Sequence, residues 1–142
     1  WFGEDAQQLR DAGSEYGAKT GRPRRVGPID IVATRYGVIK QAATDIALTK
    51  LDILSEMEKI PVCTHYLIDG EKTDEFPFPL KLYEAEPVFE YLDGWKEDIT
   101  GCRSWEDLPE NARKYVEYIE QQIGCHITYV SVGPEREQYF TR

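Results

Sequence analysis

The spacing of apolar residues along the chain changes several times, and each change marks an element. Val32, Tyr36, Ile39 and Ala43 recur at i, i+4, i+7 and i+11, which predicts a helix over residues 29–43 with these four on one face. Asp30 near its start complements the helix macrodipole. The same period returns at Ala112, Val116, Ile119 and Ile123, after Pro109 in a first-turn position and before a terminating Gly124. Ser104 and Asp107 form a capping-box-like pair ahead of that second long helix, and Gln7 to Ala12 suits a short one. The period falls to two at Ile60, Val62, Thr64, Tyr66 and Ile68, predicting a strand with those residues on one face and a turn at Asp69-Gly70. Short apolar runs predict further strands at Ile46–Thr49, Val88–Leu92 and His126–Val132. Asp93-Gly94 ends the second of these and Gly133-Pro134 the third. Residues 71–81, with Pro77 and Pro79 among charges, read as a loop. Interspersed strands and helices imply a mixed α/β (α+β) domain, with a mixed β-sheet and two long helices, as one domain over residues 1–142.

Charge is distributed unevenly. Residues 1–51 hold 8 Lys/Arg against 6 Asp/Glu, whereas residues 52–142 hold 9 against 20, for a formal net charge of −9. An acidic body argues against general nucleic-acid binding, which rests on phosphate neutralisation. No apolar run reaches the length of a membrane span, and no signal peptide is visible. Cys63, Cys102 and Cys125 are odd in number and far apart, with no CxxC, which argues against a disulfide framework or zinc site and for a reducing compartment. The chain opens on Trp1-Phe2-Gly3, and its single methionine is Met57, so it reads as a piece of something longer.

Against this background, residues 13–27 stand out. Gly13, Gly17, Gly21 and Gly27 punctuate the stretch, and Lys19, Arg22, Arg24 and Arg25 supply its charge. Guanidinium groups bind carboxylate and phosphate in fork geometry, and Pro23 stiffens the segment, so the loop suits an anionic small molecule. For any single arginine a solvated basic turn is the ordinary reading, and the glycine spacing favours the loop as a unit. Gly21-Arg22-Pro23 is also similar to a minor-groove AT-hook core, but it occurs once, inside an acidic chain.

Two further stretches follow predicted strands. In Leu48-Thr49-Lys50-Leu51-Asp52, a carboxylate at a strand end can accept two hydrogen bonds from a purine presenting N1–H and a 2-amino group, as guanine does and adenine does not. In Ser131-Val132-Gly133-Pro134, backbone N–H groups of a turn can bind a carbonyl oxygen such as guanine O6. Either alone is common by chance. His65 and His126 lack partners at ligand spacing and read as structural, and Trp95 and Trp105 as packing residues.

Taken in order, Gly13-Ser14-Glu15-Tyr16-Gly17, Thr20-Gly21-Arg22-Pro23-Arg24-Arg25, Leu48-Thr49-Lys50-Leu51-Asp52, Gly94-Trp95-Lys96-Glu97, Leu108-Pro109-Glu110-Asn111-Ala112-Arg113 and Val130 to Glu137 resemble the C-terminal part of adenylosuccinate synthetase. The resemblance implies a GTP-dependent ligase of AMP biosynthesis. The family transfers the γ-phosphoryl group of GTP to O6 of IMP with Mg²⁺, and the L-aspartate amine then displaces phosphate. By position, Ala18, Lys19, Thr20, Gly21, Arg22, Pro23 and Arg24 belong to the loop that closes on aspartate. Arg22 also reaches the IMP ribose and Arg24 the GTP side. Lys50, Leu51 and Asp52 match the guanine-reading segment, and Ser131, Val132 and Gly133 complete its pocket. Lys19 stands where the family usually has threonine and Pro28 where it has tryptophan. The phosphate-binding glycine loop, the catalytic aspartate and histidine, the residues that bind Mg²⁺ and most of the IMP site belong to the family's N-terminal part. No catalytic or metal-binding residue is therefore assigned here, and the 142-residue chain is expected to be inactive alone. The implied full-length enzyme is a cytoplasmic homodimer. The alternative is a stand-alone nucleotide-binding or interaction module that kept the fold.

Overall fold

The computed structural model describes residues 3–142, so Trp1 and Phe2 of the expected lead-in lie outside the described residues. The element order is α1 (Gly3–Ala12), β1 (Ile29–Asp30), α2 (Ile31–Gln41), β2 (Asp45–Leu48), a 3-10 turn (Leu51–Leu54), β3 (Lys59–Ile68), β4 (Glu71–Thr73), α3 (Pro79–Leu82), β5 (Glu86–Asp93), α4 (Glu110–Ile123), β6 (His126–Ser131) and β7 (Tyr139–Thr141).

The strands form two sheets rather than the one expected, and each mixes parallel and antiparallel pairs. In the first, β3 pairs parallel with β1 and antiparallel with β4 and β5. In the second, β2 and β6 run parallel, with Asp45 opposite His126 and Leu48 opposite Val130, and β7 adds antiparallel to β6. The α2 and α4 helices pack on each other.

α4 follows its sequence pattern. Ala112, Tyr115, Val116, Ile119 and Ile123 are buried, and Gly124 closes the helix at φ +68° with its N–H donating to Glu120 O at 3.0 Å. The main core joins this face to Ile127, Val130 and Val132 of the β6 segment, Ile60 and Val62 of β3, Leu51, Trp95 and Ile99. A smaller cluster of Val32, Cys63 and Tyr66 takes Ile68, Phe76, Ala85 and Phe89. All three cysteines are buried free thiols. Burial pushes the Cys63 thiol up to about 11, which keeps it protonated and inert.

Several elements differ from expectation. β3 is buried on both faces from Ile60 to Thr64, because helix and loop layers cover both sides of a central strand. α2 begins at Ile31: Ile29 and Asp30 pair with Val62 and Cys63, and the Asp30 carboxylate caps the helix by accepting Ala33 N–H at 2.9 Å. Its expected apolar stripe is buried only in part. Val32 is buried, as is Ile31 beside it, and Ala43 packs partly against the core, while Tyr36 and Ile39 are exposed and Tyr36 stacks on Phe76 with ring centroids 4.6 Å apart. Asp107 caps no helix; it accepts the N–H groups of Arg103 and Ser104 at 3.0 and 2.9 Å, and Pro109 occupies the N-cap of α4. Residues 71–81 contain β4 and the start of α3, and β7 follows the Gly133-Pro134 turn.

Gly94 is fixed by a close approach. A Cβ there would lie 1.9 Å from Met57 O, while Gly94 N–H donates to Glu58 O at 2.9 Å and Gly94 O accepts from Asn111 Nδ2 at 2.9 Å. Next to it the buried Trp95 indole N–H donates to Ser55 Oγ at 2.9 Å, directly after the 3-10 turn. The Gly94-Trp95 and Asn111 segments thus brace that turn from behind. Gly94→Ala is expected to lower stability by at least about 2 kcal/mol through overpacking against backbone. Gly101→Ala, where a Cβ meets nothing within 4 Å, should change it by less than about 0.5 kcal/mol. Urea unfolding of the two variants checks the contrast.

Candidate functional site

The glycine-punctuated stretch folds as a hairpin. Tyr16 and Pro23 form an antiparallel bridge, Arg24 N–H donates to Glu15 O at 2.9 Å, and Gly17 N–H donates to Arg22 O at 2.8 Å. Gly21, at φ +63°, closes the tip by donating its N–H to Gly17 O at 2.8 Å. Tyr16 ties the hairpin to α1: its hydroxyl donates to the Asp11 carboxylate and accepts from Gln7 Nε2 at 2.7 Å. Ala18, Lys19, Thr20, Gly21, Arg22, Pro23 and Arg24 all lie on the exposed part of this hairpin.

Lys50 follows β2 and takes a left-handed conformation at φ +60°, which starts the 3-10 turn. That kink sends Leu51 into the core and leaves Asp52 half-buried. Asp52 Oδ1 is buried and has no hydrogen-bond partner. Burial, the largest influence, raises the Asp52 carboxyl above the ordinary carboxylate value, with Asp98 adding to it and Lys50 opposing it. A desolvated carboxylate oxygen without a donor is costly, and such a group invites an N–H from outside the chain.

The parallel pairing of β2 with β6 carries Lys50–Asp52 and Ser131–Gly133 to the same edge, beyond the carboxyl ends of two adjacent strands. This is the position at which α/β sheets receive ligands. Ser131 Oγ donates to Gly133 O at 3.1 Å, and Val132, buried, donates its N–H to Gln138 O at 2.9 Å. Gln138 shapes the turn further. Its Oε1 accepts Glu135 N–H at 2.9 Å, and a Cβ on Gly133 would lie 2.2 Å from that same oxygen. The Gln138 amide therefore occupies the space that a side chain at Gly133 would take.

One carboxylate joins the hairpin to the 3-10 turn. Glu15 Oε2 pairs with Arg24 Nη1 at 3.0 Å, and Oε1 pairs with Lys50 Nζ. Lys50 Nζ also donates to Gly13 O at 2.6 Å. The bonds from Lys50 and then Arg24 hold the Glu15 carboxyl below its ordinary value. The structure therefore gathers the arginine hairpin, the Lys50–Asp52 segment and the Ser131–Gly133 turn into one region. Sequence reasoning assigned no role to Glu15 or Gln138; the Gly13-Ser14-Glu15-Tyr16-Gly17 motif contained the first, and no local signal marked the second.

The remaining candidates fall elsewhere. His65 Nδ1 meets Thr64 Oγ1 at 3.0 Å within β3, and His126 Nδ1 meets Glu120 Oε2 at 2.9 Å. Among the described residues no group of three or more His, Cys, Asp or Glu side chains is arranged to hold a metal ion, and no helix is long and apolar enough to cross a membrane.

Comparison with known proteins bears on the family and the fold. The family model described as adenylosuccinate synthetase matches residues 1–140. The chain is 52% identical over 136 residues to the adenylosuccinate synthetase of Trichlorobacter lovleyi, covering 95% of this chain and 32% of that protein. It is 49% identical over 138 residues to that of Staphylococcus epidermidis, with 96% and 32% covered. Among solved structures, the fully ligated adenylosuccinate synthetase from Plasmodium falciparum superposes with a TM-score of 0.92 at 39% identity, over 99% of this chain and 35% of that one. The chain spans about a third of the length of these relatives. By the family match over nearly its whole length, and by its fold, this chain belongs to the adenylosuccinate synthetase family.

Proposed function

We propose that this chain is one domain, the C-terminal substrate- and nucleotide-binding portion of a GTP-dependent ligase that joins IMP and L-aspartate into adenylosuccinate. The observation that carries the reading is the buried, unpartnered Asp52 Oδ1 at the carboxyl end of the β2/β6 pair, beside Ser131–Gly133. Guanine N1–H and its 2-amino group would donate to that carboxylate, and the Gly133 N–H of the Ser131–Gly133 turn, since Val132 N–H is taken by Gln138 O, would donate to O6. The Lys50 stem would lie over the ring while its ammonium stays with Glu15. On the hairpin, Arg22 and Arg24 would clamp the aspartate carboxylates, with Arg22 also reaching the IMP ribose and Arg24 the GTP side. Ala18, Lys19, Thr20, Gly21 and Pro23 would shape that loop.

Phosphoryl transfer depends mainly on positioning and charge stabilisation, and these residues contribute the positioning. The Mg²⁺ that the family resemblance implies does not fit the described residues, which offer no such donor cluster. The reading leaves it, with the phosphate loop and the acid–base residues, to the N-terminal part of the enzyme. The same reading has the full-length enzyme acting as a homodimer in the cytoplasm.

Asp52 yields two expected outcomes. Its folded-state carboxyl is raised, so its contribution to stability is present at low pH and lost as pH rises through that raised value. Without nucleotide, Asp52→Asn should therefore melt above the parent at pH 7, with the difference closing below about pH 4. Melting scans over pH check this, and a parent that is the more stable at pH 7 would contradict the desolvated carboxylate.

In the full-length enzyme, Asp52→Asn presents one acceptor and one donor. It should lose about 1–3 kcal/mol for GTP and gain use of XTP, whose carbonyl replaces the guanine amine. Steady-state kinetics with both nucleotides read the swap, and unchanged GTP use would reject the assignment. Arg24→Leu in the same enzyme should cost about 2–5 kcal/mol in kcat/KM for aspartate. A value matching the parent enzyme would return the hairpin to a solvated turn.

A further inference from the structure

Glu15 has no place in the binding roles above, yet its carboxylate touches both the hairpin cation Arg24 and Lys50 of the nucleotide turn. Its side chain is 16% exposed, against 56% for Arg24 and 45% for Lys50, so the anion is the inner partner and the two cations are the outer ones. Its backbone is fixed at both ends of the residue: Glu15 N–H donates to Arg10 O at 2.8 Å, and Glu15 O accepts from Arg24 N–H at 2.9 Å. An ordinary surface pair joins one cation to one anion and orders little. Here the two oxygens are divided between cations from two separate segments, which would repel each other at this range without the carboxylate between them.

We infer that Glu15 is a positioning residue that sets the spacing of the arginine hairpin and the Lys50–Asp52 turn and so couples the dicarboxylate and nucleotide subsites. The inference rests on the function proposed above. A nucleotide that seats the Lys50 stem fixes the ammonium, and through it the Glu15 carboxylate that holds Arg24 in place for the dicarboxylate; an anionic ligand seated on Arg24 fixes Glu15 and Lys50 in the same way. Occupancy of either subsite then alters the other, and linkage makes the effect reciprocal.

The test uses full-length enzyme. Glu15→Gln keeps the shape and removes the charge. KM for aspartate and KM for GTP should both rise, each by about two- to fivefold, the range open to a solvent-accessible ion pair. Lys50→Met at saturating GTP should raise the aspartate KM in the parent enzyme and leave it unchanged in the Glu15→Gln background. A merely structural role would lower the melting temperature and leave both KM values where they were, and that result, or strictly additive effects of the two substitutions, would overturn the inference. Should Glu15→Gln fail to fold, Glu15→Asp keeps the charge with one methylene less reach and carries the same expectation. Arg24→Leu is measured alongside. If its aspartate KM is unchanged, the proposed function falls and this inference with it. If it rises while the Glu15 variants behave as the parent, only the role of Glu15 falls.

Discussion

The pairing of β2 with β6 is the constraint on which the rest of the site depends. Two strands far apart in sequence lie parallel, so their carboxyl ends, and whatever follows them, come to one edge. The pairing is held from the inside. Ile127, Val130 and Val132 are fully buried against the α4 stripe, and Ile46 and Leu48 pack onto the same core. A single fully buried aliphatic side chain of this kind contributes about 1.5–3 kcal/mol. The register, shifted once between Ile46 and Ala47, is therefore set by the core.

Behind that edge, the segments that carry the family resemblance brace one another. The close approach of Gly94 to Met57, the Trp95–Ser55 hydrogen bond and the Asn111–Gly94 hydrogen bond converge on the 3-10 turn that presents Asp52. Gln138 does the corresponding work on the other side, filling the space over Gly133 and holding Glu135 and Val132. A half-buried carboxylate needs such support, because a turn free to relax would rotate Asp52 into water and relieve its desolvation.

What the sequence made legible follows from range. α4 could be read because its stripe and Gly124 are local signals, and the core agrees with both. The Lys50–Asp52 segment could be placed at a strand end because the apolar run before it is also local. α2 misled at Tyr36, whose partner Phe76 lies far along the chain, and at Ile39, which no described element covers. The one-sided reading of β3 failed because period two describes one exposed face, and both faces of β3 are covered between Ile60 and Thr64. β4 and β7, at three residues each, are too short to give a pattern, and β4 is polar throughout. In the site, the Glu15–Lys50 contact spans 35 residues of sequence, and the Gln138 contacts with Gly133 and Thr100 depend on the folded turn. No window-based reading reaches either.

Electrostatics gives these placements a common sense. The chain carries a net charge of −9, and an anionic ligand would meet a repulsive body were the cations spread evenly. Four of the 17 Lys/Arg are instead clustered on one exposed hairpin, in which Lys19, Arg22 and Arg25 are exposed and Glu15 holds Arg24. At physiological ionic strength the screening length is about 8 Å, so a ligand seated on the hairpin feels these cations and little of the distant acidic surface. Asp52 lies on the other side of the same arrangement. A half-buried carboxylate with one oxygen buried and without a partner, close enough to Asp98 to be further raised, works against folding stability in the acidic part of the chain. The parts of the arrangement that favour an anion and the part that favours N–H donors are linked through Lys50, which reaches Glu15 from the turn that carries Asp52, and a nucleotide carries both kinds of group on one molecule. On the proposed function the N–H groups of such a ligand would replace the lost water at Asp52 and favour its charged form.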